Sequence, residues 1–98
     1  MIHIILPTHL RRLANVGREV TLDLSTPVTL NEIIDGLESN YPSLRGIIRE
    51  YESGERRTYL RFFALGQDIS NHAMDEPLPE PITSGAEPLR IVGAMSGG

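Results

Sequence analysis

The stretch VTLNEIIDGLESNYP, residues 28–42, predicts the main helix of the fold, and the other elements are placed relative to it. Thr29 and Glu32 have the spacing of a capping box, in which the threonine hydroxyl accepts from the backbone N–H of Glu32 and the glutamate carboxylate accepts from the backbone N–H of the threonine. Apolar residues recur at positions 30, 33, 34, 37 and 41, which gives the helix one buried face. Pro42 ends it, because the residue before a proline avoids the helical conformation.

Two strands are predicted before this helix. Residues 2–6 and residues 19–24 place apolar side chains at alternate positions, which is the period of a strand with one buried face. A turn-rich stretch, residues 7–17, connects them. We therefore expect an antiparallel hairpin with a long loop.

Further elements are predicted after the main helix. The apolar period over residues 44–51 predicts a short second helix, which Ser53 and Gly54 close. The stretch TYLRFFAL, residues 58–65, predicts a central strand, and residues 66–68 predict the turn that follows it.

The last third of the chain is less regular. Residues 71–88 contain four prolines and predict a loop, with one short strand as an option around Ile82. Residues 89–92 predict a final strand, and residues 93–98 a flexible tail. The element order predicts one α+β domain, residues 1–98, of the β-grasp type. We expect a mixed sheet of four to five strands packed on one main helix plus a short helix, with the first and last strands parallel and central.

Composition and charge argue against several classes of function. The chain has 98 residues, of which 40% are hydrophobic and 22% charged, as is usual for a globular domain. Its net charge of −4 disfavours nucleic-acid binding, which depends on a basic surface. It contains no cysteine, so disulfides, thiolate metal sites and cysteine nucleophiles are excluded. The apolar N-terminal run is too short for a signal peptide or a membrane span, and we expect a cytoplasmic protein that does not contact membranes.

The tail GAMSGG, residues 93–98, directly follows the predicted last strand. Glycines at a terminus are often only frayed chain, and a two-residue motif is weak by itself. Its position after a strand, in a small domain with a capped helix, favours a functional tail.

Over nearly its whole length the sequence resembles the ThiS/MoaD sulfur carriers, which have the ubiquitin-like β-grasp fold. The resemblance rests on the stretches LRRLANVGREVTLDL (10–24), VTLNEIIDGLESNYPSLRGIIRE (28–50) and LRIVGAMSGG (89–98). The opening LPTHLRRL (6–13) and the segment YESGERRTYLRFF (51–63) are more similar to carriers linked to cysteine or methionine synthesis than to small subunits of molybdopterin synthase.

The resemblance implies a role for the tail and two partners. An E1-like enzyme of the MoeB/ThiF type would adenylate Gly98 with ATP, and a sulfur donor would convert the adenylate into a thiocarboxylate. A sulfur-accepting biosynthetic enzyme would be the second partner. Gly97, Ser96 and Met95 would thread into the adenylating enzyme. The carrier itself would bind no cofactor, since ATP and the sulfur donor are used by the partner enzyme.

Recognition by such an enzyme requires a surface. If the apolar residues at 2, 4, 60, 62, 89 and 91 face the helix, four others face outward and form an exposed apolar patch typical of partner binding, here called the outer patch: Ile5, Phe63, Leu65 and Val92. The alternatives are that an edge loop covers these residues or that the register is inverted.

No catalytic residue and no metal site is predicted in the chain itself. The three histidines, His3, His9 and His72, are not accompanied by further residues of the ligand type. Ser96 has no histidine spaced to activate it as a nucleophile.

Two other functions remain open. A protein modifier, joined through Gly98 to lysines of its targets, would use the same terminus and the same class of enzyme. This chain contains no lysine, which rules out lysine-linked chains of its own kind but not single conjugation. The other alternative is a β-grasp interaction module with an incidental diglycine.

Overall fold

The computed structural model describes residues 1–57 and 59–93, which form a five-stranded mixed sheet and three α-helices. The strands are β1 (Ile2–Ile5), β2 (Glu19–Leu22), β3 (Leu60–Ala64), β4 (Gln67–Asp68) and β5 (Leu89–Gly93). The helices are α1 (Thr8–Ala14), α2 (Leu30–Asn40) and α3 (Glu80–Thr83), and a 3-10 turn spans Pro42–Leu44.

The strand order is β2-β1-β5-β3-β4, so the first and last strands lie side by side at the middle of the sheet. β1 is antiparallel to β2 and parallel to β5, while β3 is antiparallel to both β5 and β4. The predicted hairpin and the predicted parallel central pair are therefore confirmed. β5 has a hydrogen-bonded neighbour on each side.

The sheet buries one face against α2. Side chains of β1, β3 and β5 alternate between buried and more exposed positions, as the strand period requires. The buried members are the six that were predicted to face the helix: Ile2, Ile4, Leu60, Phe62, Leu89 and Ile91. They share one core with four buried residues of α2: Leu30, Ile33, Ile34 and Leu37.

The capping box at the start of α2 is present as predicted. The backbone N–H of Glu32 donates to the Thr29 hydroxyl over 3.2 Å, and the backbone N–H of Thr29 donates to Glu32 Oε1 over 3.3 Å. The helix ends at Asn40, just before Tyr41 and Pro42.

The prediction of a turn-rich stretch over residues 7–17 is wrong, because Thr8–Ala14 forms α1. Only Leu10 of this helix is buried, so the apolar period that signals a helix is nearly absent. Tertiary contacts stabilise it, including a 2.6 Å hydrogen bond from the hydroxyl of Ser43 to the carbonyl of Leu13. Asn15 ends it in the left-handed conformation, with φ of 56°.

The predicted short helix over residues 44–51 is also wrong. The chain there makes the 3-10 turn and further turns, and Arg49 then forms a bridge with Arg56. Gly46 has φ of 78°, which a continuous right-handed helix does not allow. The apolar spacing instead reflects burial of Leu44 and Ile48 from a turn.

Three smaller predictions need correction. Ile82 lies in α3 rather than in a strand, since prolines fit the first turn of a helix. The turn predicted at residues 66–68 is shorter, and Gln67–Asp68 forms β4. Gly93 belongs to β5, where it is buried and paired with Leu60, so it is not part of the tail.

Candidate functional site: the end of β5 and the outer patch

The last described residue, Gly93, ends the strand at the middle of the sheet. Its neighbour on β3 is Leu60, and Val92 is paired with Arg61. The predicted site residues Met95, Ser96, Gly97 and Gly98 lie outside the described residues, and the predictions made for them stay predictions. The structure fixes the point from which residues 94–98 continue.

The outer patch lies on the sheet face opposite α2, with the register that was predicted. Leu65 is 49% exposed and Val92 37% exposed, while Ile5 and Phe63 are partly buried. Ile5 and Phe63 are the neighbours of Arg90 on the two adjoining strands, so the three form one row across the sheet. No inverted register hides these residues, and their role in binding a partner stays a prediction.

A shallow groove on this face, here called the outer groove, takes in three of the four patch residues. Phe63, Leu65 and Val92 line it together with Gly66, Glu87, Pro88 and Arg90. Ile5 lies beside it, across Arg90. Arg90 and Glu87 were missed at the sequence level, although Arg90 stands between the inward-facing Leu89 and Ile91 and its outward direction follows from the strand period.

The charges around the outer patch are partly paired. His3 Nδ1 lies 2.8 Å from a carboxylate oxygen of Glu19, and Arg61 lies 3.2 Å from Asp68. Within residues 1–57 and 59–93, the side chains of Arg90 and Glu87 make no hydrogen bond and no ion pair. Both are exposed, so the outer groove carries one unpaired cation and one unpaired anion.

Asp68 also fixes the hairpin formed by β3 and β4. Hydrogen bonds from the side chain and backbone of Ser70 are the main cause that lowers the pKa of Asp68, and the positive charges of Arg61 and Arg56 lower it further. The backbone N–H of Ser70 donates to Asp68 Oδ1 over 2.9 Å. The Ser70 hydroxyl in turn accepts from the backbone N–H of Phe62 over 2.8 Å, which ties this edge to the core.

The two-residue turn between β3 and β4 has an unusual first residue. Leu65 and Gly66 have φ of 54° and 77°, and such turns favour asparagine followed by glycine. A leucine in the left-handed region costs stability, and about half of this side chain is exposed. Its burial in the folded chain therefore does little to offset the cost.

Residues 1–57 and 59–93 contain neither a metal-binding cluster nor a membrane-spanning helix. In the part of the chain that the structure describes, no three histidine or acidic side chains are grouped so as to hold a metal ion. His3 pairs with Glu19 and His72 with Glu76, while Nε2 of His9 is buried without a hydrogen-bond partner. No described helix has both the length and the apolarity to cross a bilayer.

No protein-family model matches the chain, and no curated protein matches it in sequence. Solved structures do match in fold. SAMP1 from Haloferax volcanii is 22% identical, with a TM-score of 0.73, over 98% of this chain and 97% of that one. CysO in the BexX/CysO complex of Amycolatopsis orientalis is 18% identical, with a TM-score of 0.76, over 100% of both chains. CysO from Mycobacterium tuberculosis is 18% identical, with a TM-score of 0.75, over 97% of this chain and 100% of that one.

These similarities extend over nearly the full length of both chains and confirm the predicted fold class, a ubiquitin-like β-grasp. Identities of this size establish the fold alone. Another crystal structure from Haloferax volcanii, of a protein called small archaeal modifier protein 1, also matches, at 19% identity and a TM-score of 0.69 over 93% of this chain and 95% of that one.

Proposed function

We propose that this chain is a sulfur carrier of the ThiS/MoaD type, whose working group is the carboxylate of Gly98. The observation that carries the proposal is the position of β5. The strand lies at the middle of the sheet and ends at Gly93, beside the outer groove, five residues before Gly98. A tail that begins there and a docking surface at its base are what an adenylating enzyme would need.

In the proposed reaction the carrier supplies only its terminal carboxylate. A terminal carboxyl has a pKa of about 3.5, so at neutral pH it is ionised and attacks the α-phosphate of ATP without a general base. This step forms the acyl-adenylate and releases pyrophosphate. Sulfide from the donor then attacks the acyl carbon, AMP leaves and the sulfur loses its proton, which yields the thiocarboxylate. The partner enzyme supplies the ATP site, and the donor supplies the sulfur.

The reach of the tail is counted from the end of β5, because Gly93 belongs to that strand. Five residues beyond the strand span ~17 Å when extended, rather than the ~20 Å that six residues would give. Gly97 and Gly98 lack a Cβ, so their backbone fits a narrow channel and approaches catalytic groups closely. The folded domain would stay at the mouth of the channel while the carboxylate reaches the nucleotide.

The outer patch would dock the adenylating enzyme, of the MoeB/ThiF type. Leu65 supports this role, because a strained leucine that stays half-exposed gains little from folding and would be covered in a complex. The BexX/CysO complex offers a precedent for a chain of this fold bound to another protein. The sulfur-accepting partner would be a biosynthetic enzyme, and the sequence favours one of cysteine or methionine synthesis.

Deleting Gly98 tests the proposal. The deletion shortens the reach by ~3.5 Å, so ATP–pyrophosphate exchange with the adenylating enzyme should be lost while the fold is unchanged. Gly97→Val should impair exchange as well, because a β-branched side chain makes the C-terminal tail stiffer and wider. Mass spectrometry of the wild type, after addition of a sulfur donor, should show one oxygen replaced by sulfur. Normal exchange by the deletion variant would refute the carrier function.

A second candidate is a protein modifier conjugated through Gly98. The observation in its favour is the similarity to the structure called small archaeal modifier protein 1. Immunoblots of a native lysate separate the two, because a modifier gives a ladder of higher bands and a pure carrier gives none. An interaction module would keep its function when a residue is appended after Gly98, whereas both tail-dependent functions would be lost.

A further inference from the structure

The outer groove combines an apolar lining with one unpaired charge of each sign. Phe63, Leu65 and Val92 supply the apolar lining. Among the described residues, neither Arg90 nor Glu87 has an ion-pair partner, although both are exposed in the same groove. Two other pairs on this face are already formed: His3 Nδ1 lies 2.8 Å from a carboxylate oxygen of Glu19, and Arg61 forms an ion pair with Asp68.

Such a surface is complementary to itself. In an isologous dimer the same patch of both copies meets across a two-fold axis, so that residue i contacts residue j and j contacts i. An axis between Arg90 and Glu87 places the arginine of each copy opposite the glutamate of the other. The apolar side chains beside them then cover one another. A groove with charges of only one sign would repel its own copy.

We propose that two copies of this chain associate through the outer groove, with Arg90 of each copy paired with Glu87 of the other. The proposal goes beyond the carrier function and holds whether or not Gly98 is activated. The apolar lining is small, so the buried area would fall below the ~1,200 Å² of standard interfaces, which is the range of transient complexes. Because exposed charges contribute, we expect the association to weaken as salt is added.

Self-association would compete with docking of the adenylating enzyme. Both use Phe63, Leu65 and Val92, so one copy cannot serve a second copy and the enzyme at once. The dimer would then be a resting form that exposes less apolar surface when the carrier is abundant. Binding of the enzyme would draw on the monomer.

The test uses charge reversal and sedimentation equilibrium from micromolar to millimolar chain. The wild type should show an average mass that rises with concentration at low salt. Arg90→Glu places two glutamates at each contact and Glu87→Arg places two arginines there, so each variant alone should stay monomeric. An equimolar mixture of the two should form a heterodimer, because both contacts again join opposite charges. Arg12→Glu is the matched control: it makes the same charge change on exposed α1 and should associate like the wild type.

Three results would overturn the proposal. The first is a wild type that stays monomeric at millimolar concentration. The second is association that persists in both single variants, which would place the contact elsewhere. The third is a mixture that forms no heterodimer, which would show that residue 90 of one copy does not meet residue 87 of the other. ATP–pyrophosphate exchange is measured separately at low carrier concentration, so failure of the dimer leaves the carrier proposal standing.

Discussion

Replacing Thr29 by alanine removes the capping box that starts α2 and gives a quantitative test of how that helix is held. In the wild type the threonine hydroxyl accepts from the backbone N–H of Glu32 over 3.2 Å and lies 3.3 Å from Glu32 Oε1. The variant loses both contacts. The backbone N–H of residue 29 remains, and so does its 3.3 Å bond to Glu32. We therefore expect the usual cost of a lost cap, ~1 kcal/mol, and not the unfolding of the helix.

Tertiary contacts limit the damage. Leu30, the first residue of α2, is buried, and the backbone N–H of Asn31 donates to the carbonyl of Met74 over 3.0 Å. These contacts survive the substitution. For a domain of this size, ~1 kcal/mol corresponds to a fall in the melting temperature of ~4–8 °C. In urea the midpoint should fall by ~0.3–1 M with an unchanged slope.

Two further variants make the test specific. Thr29→Ser keeps the hydroxyl and should remain within a few tenths of a kcal/mol of the wild type, since serine and threonine cap similarly. Glu32→Ala removes the other half of the box, and the double variant should cost less than the sum of the two because they share a contact. An alanine variant as stable as the wild type, or a serine variant as unstable as the alanine variant, would refute the reasoning.

Three other predictions concern positions outside α2. Gly85→Ala should lower the melting temperature strongly, because φ there is 87° and an added Cβ would lie 2.3 Å from the carbonyl oxygen of Met1. Gly54→Ala is the control: φ there is 74°, but the space around an added Cβ is open, so the melting temperature should fall less. Leu65→Asn should keep or raise the free energy of unfolding, because asparagine suits the left-handed turn. The same variant should bind the proposed adenylating enzyme more weakly in calorimetry, and wild-type affinity would contradict docking at Leu65. The lowered pKa of Asp68 means that its stabilising effect is present above the ordinary aspartate pKa, about 3.9, and is lost as pH falls through the lower folded value. Asp68→Asn should therefore reduce the loss of unfolding free energy as the pH falls through that range. An unchanged pH dependence of stability would show that Asp68 is not its source.

Local chemistry made the main helix predictable. The capping box, the apolar period and Pro42 all lie within residues 28–42, and each acts through neighbours in sequence. β1 and β2 were predicted for a similar reason, since their apolar residues alternate, and β3 was predicted from its aromatic and apolar content. The parallel pairing of β1 with β5 followed once the order of elements was known.

The misassigned segments depend on distant contacts. α1 buries only Leu10, so its sequence carries almost no helical period, while the segment after α2 has that period and still forms turns. There Arg49 donates to Asn31 and to Glu38 over 3.3 and 3.1 Å, and it also pairs with Asp35. No local pattern reveals a side chain that reaches back to a helix more than ten residues earlier.

The candidate site was predictable in part. The outward direction of Phe63, Leu65 and Val92 followed from the strand period, and the structure confirms it. The contribution of Glu87 was not accessible, because it precedes β5 in an irregular segment and reaches the outer groove only through the folded sheet.

The position of β5 has a mechanical consequence. A force applied to its C-terminal end acts along the strand and loads the hydrogen bonds to β1 and β3 in shear, many at a time. An edge strand such as β4, pulled away from the sheet, would instead lose its bonds one after another. If the tail is held in a binding channel, as proposed, tension along β5 is therefore shared among the bonds to both neighbouring strands rather than borne by one bond at a time.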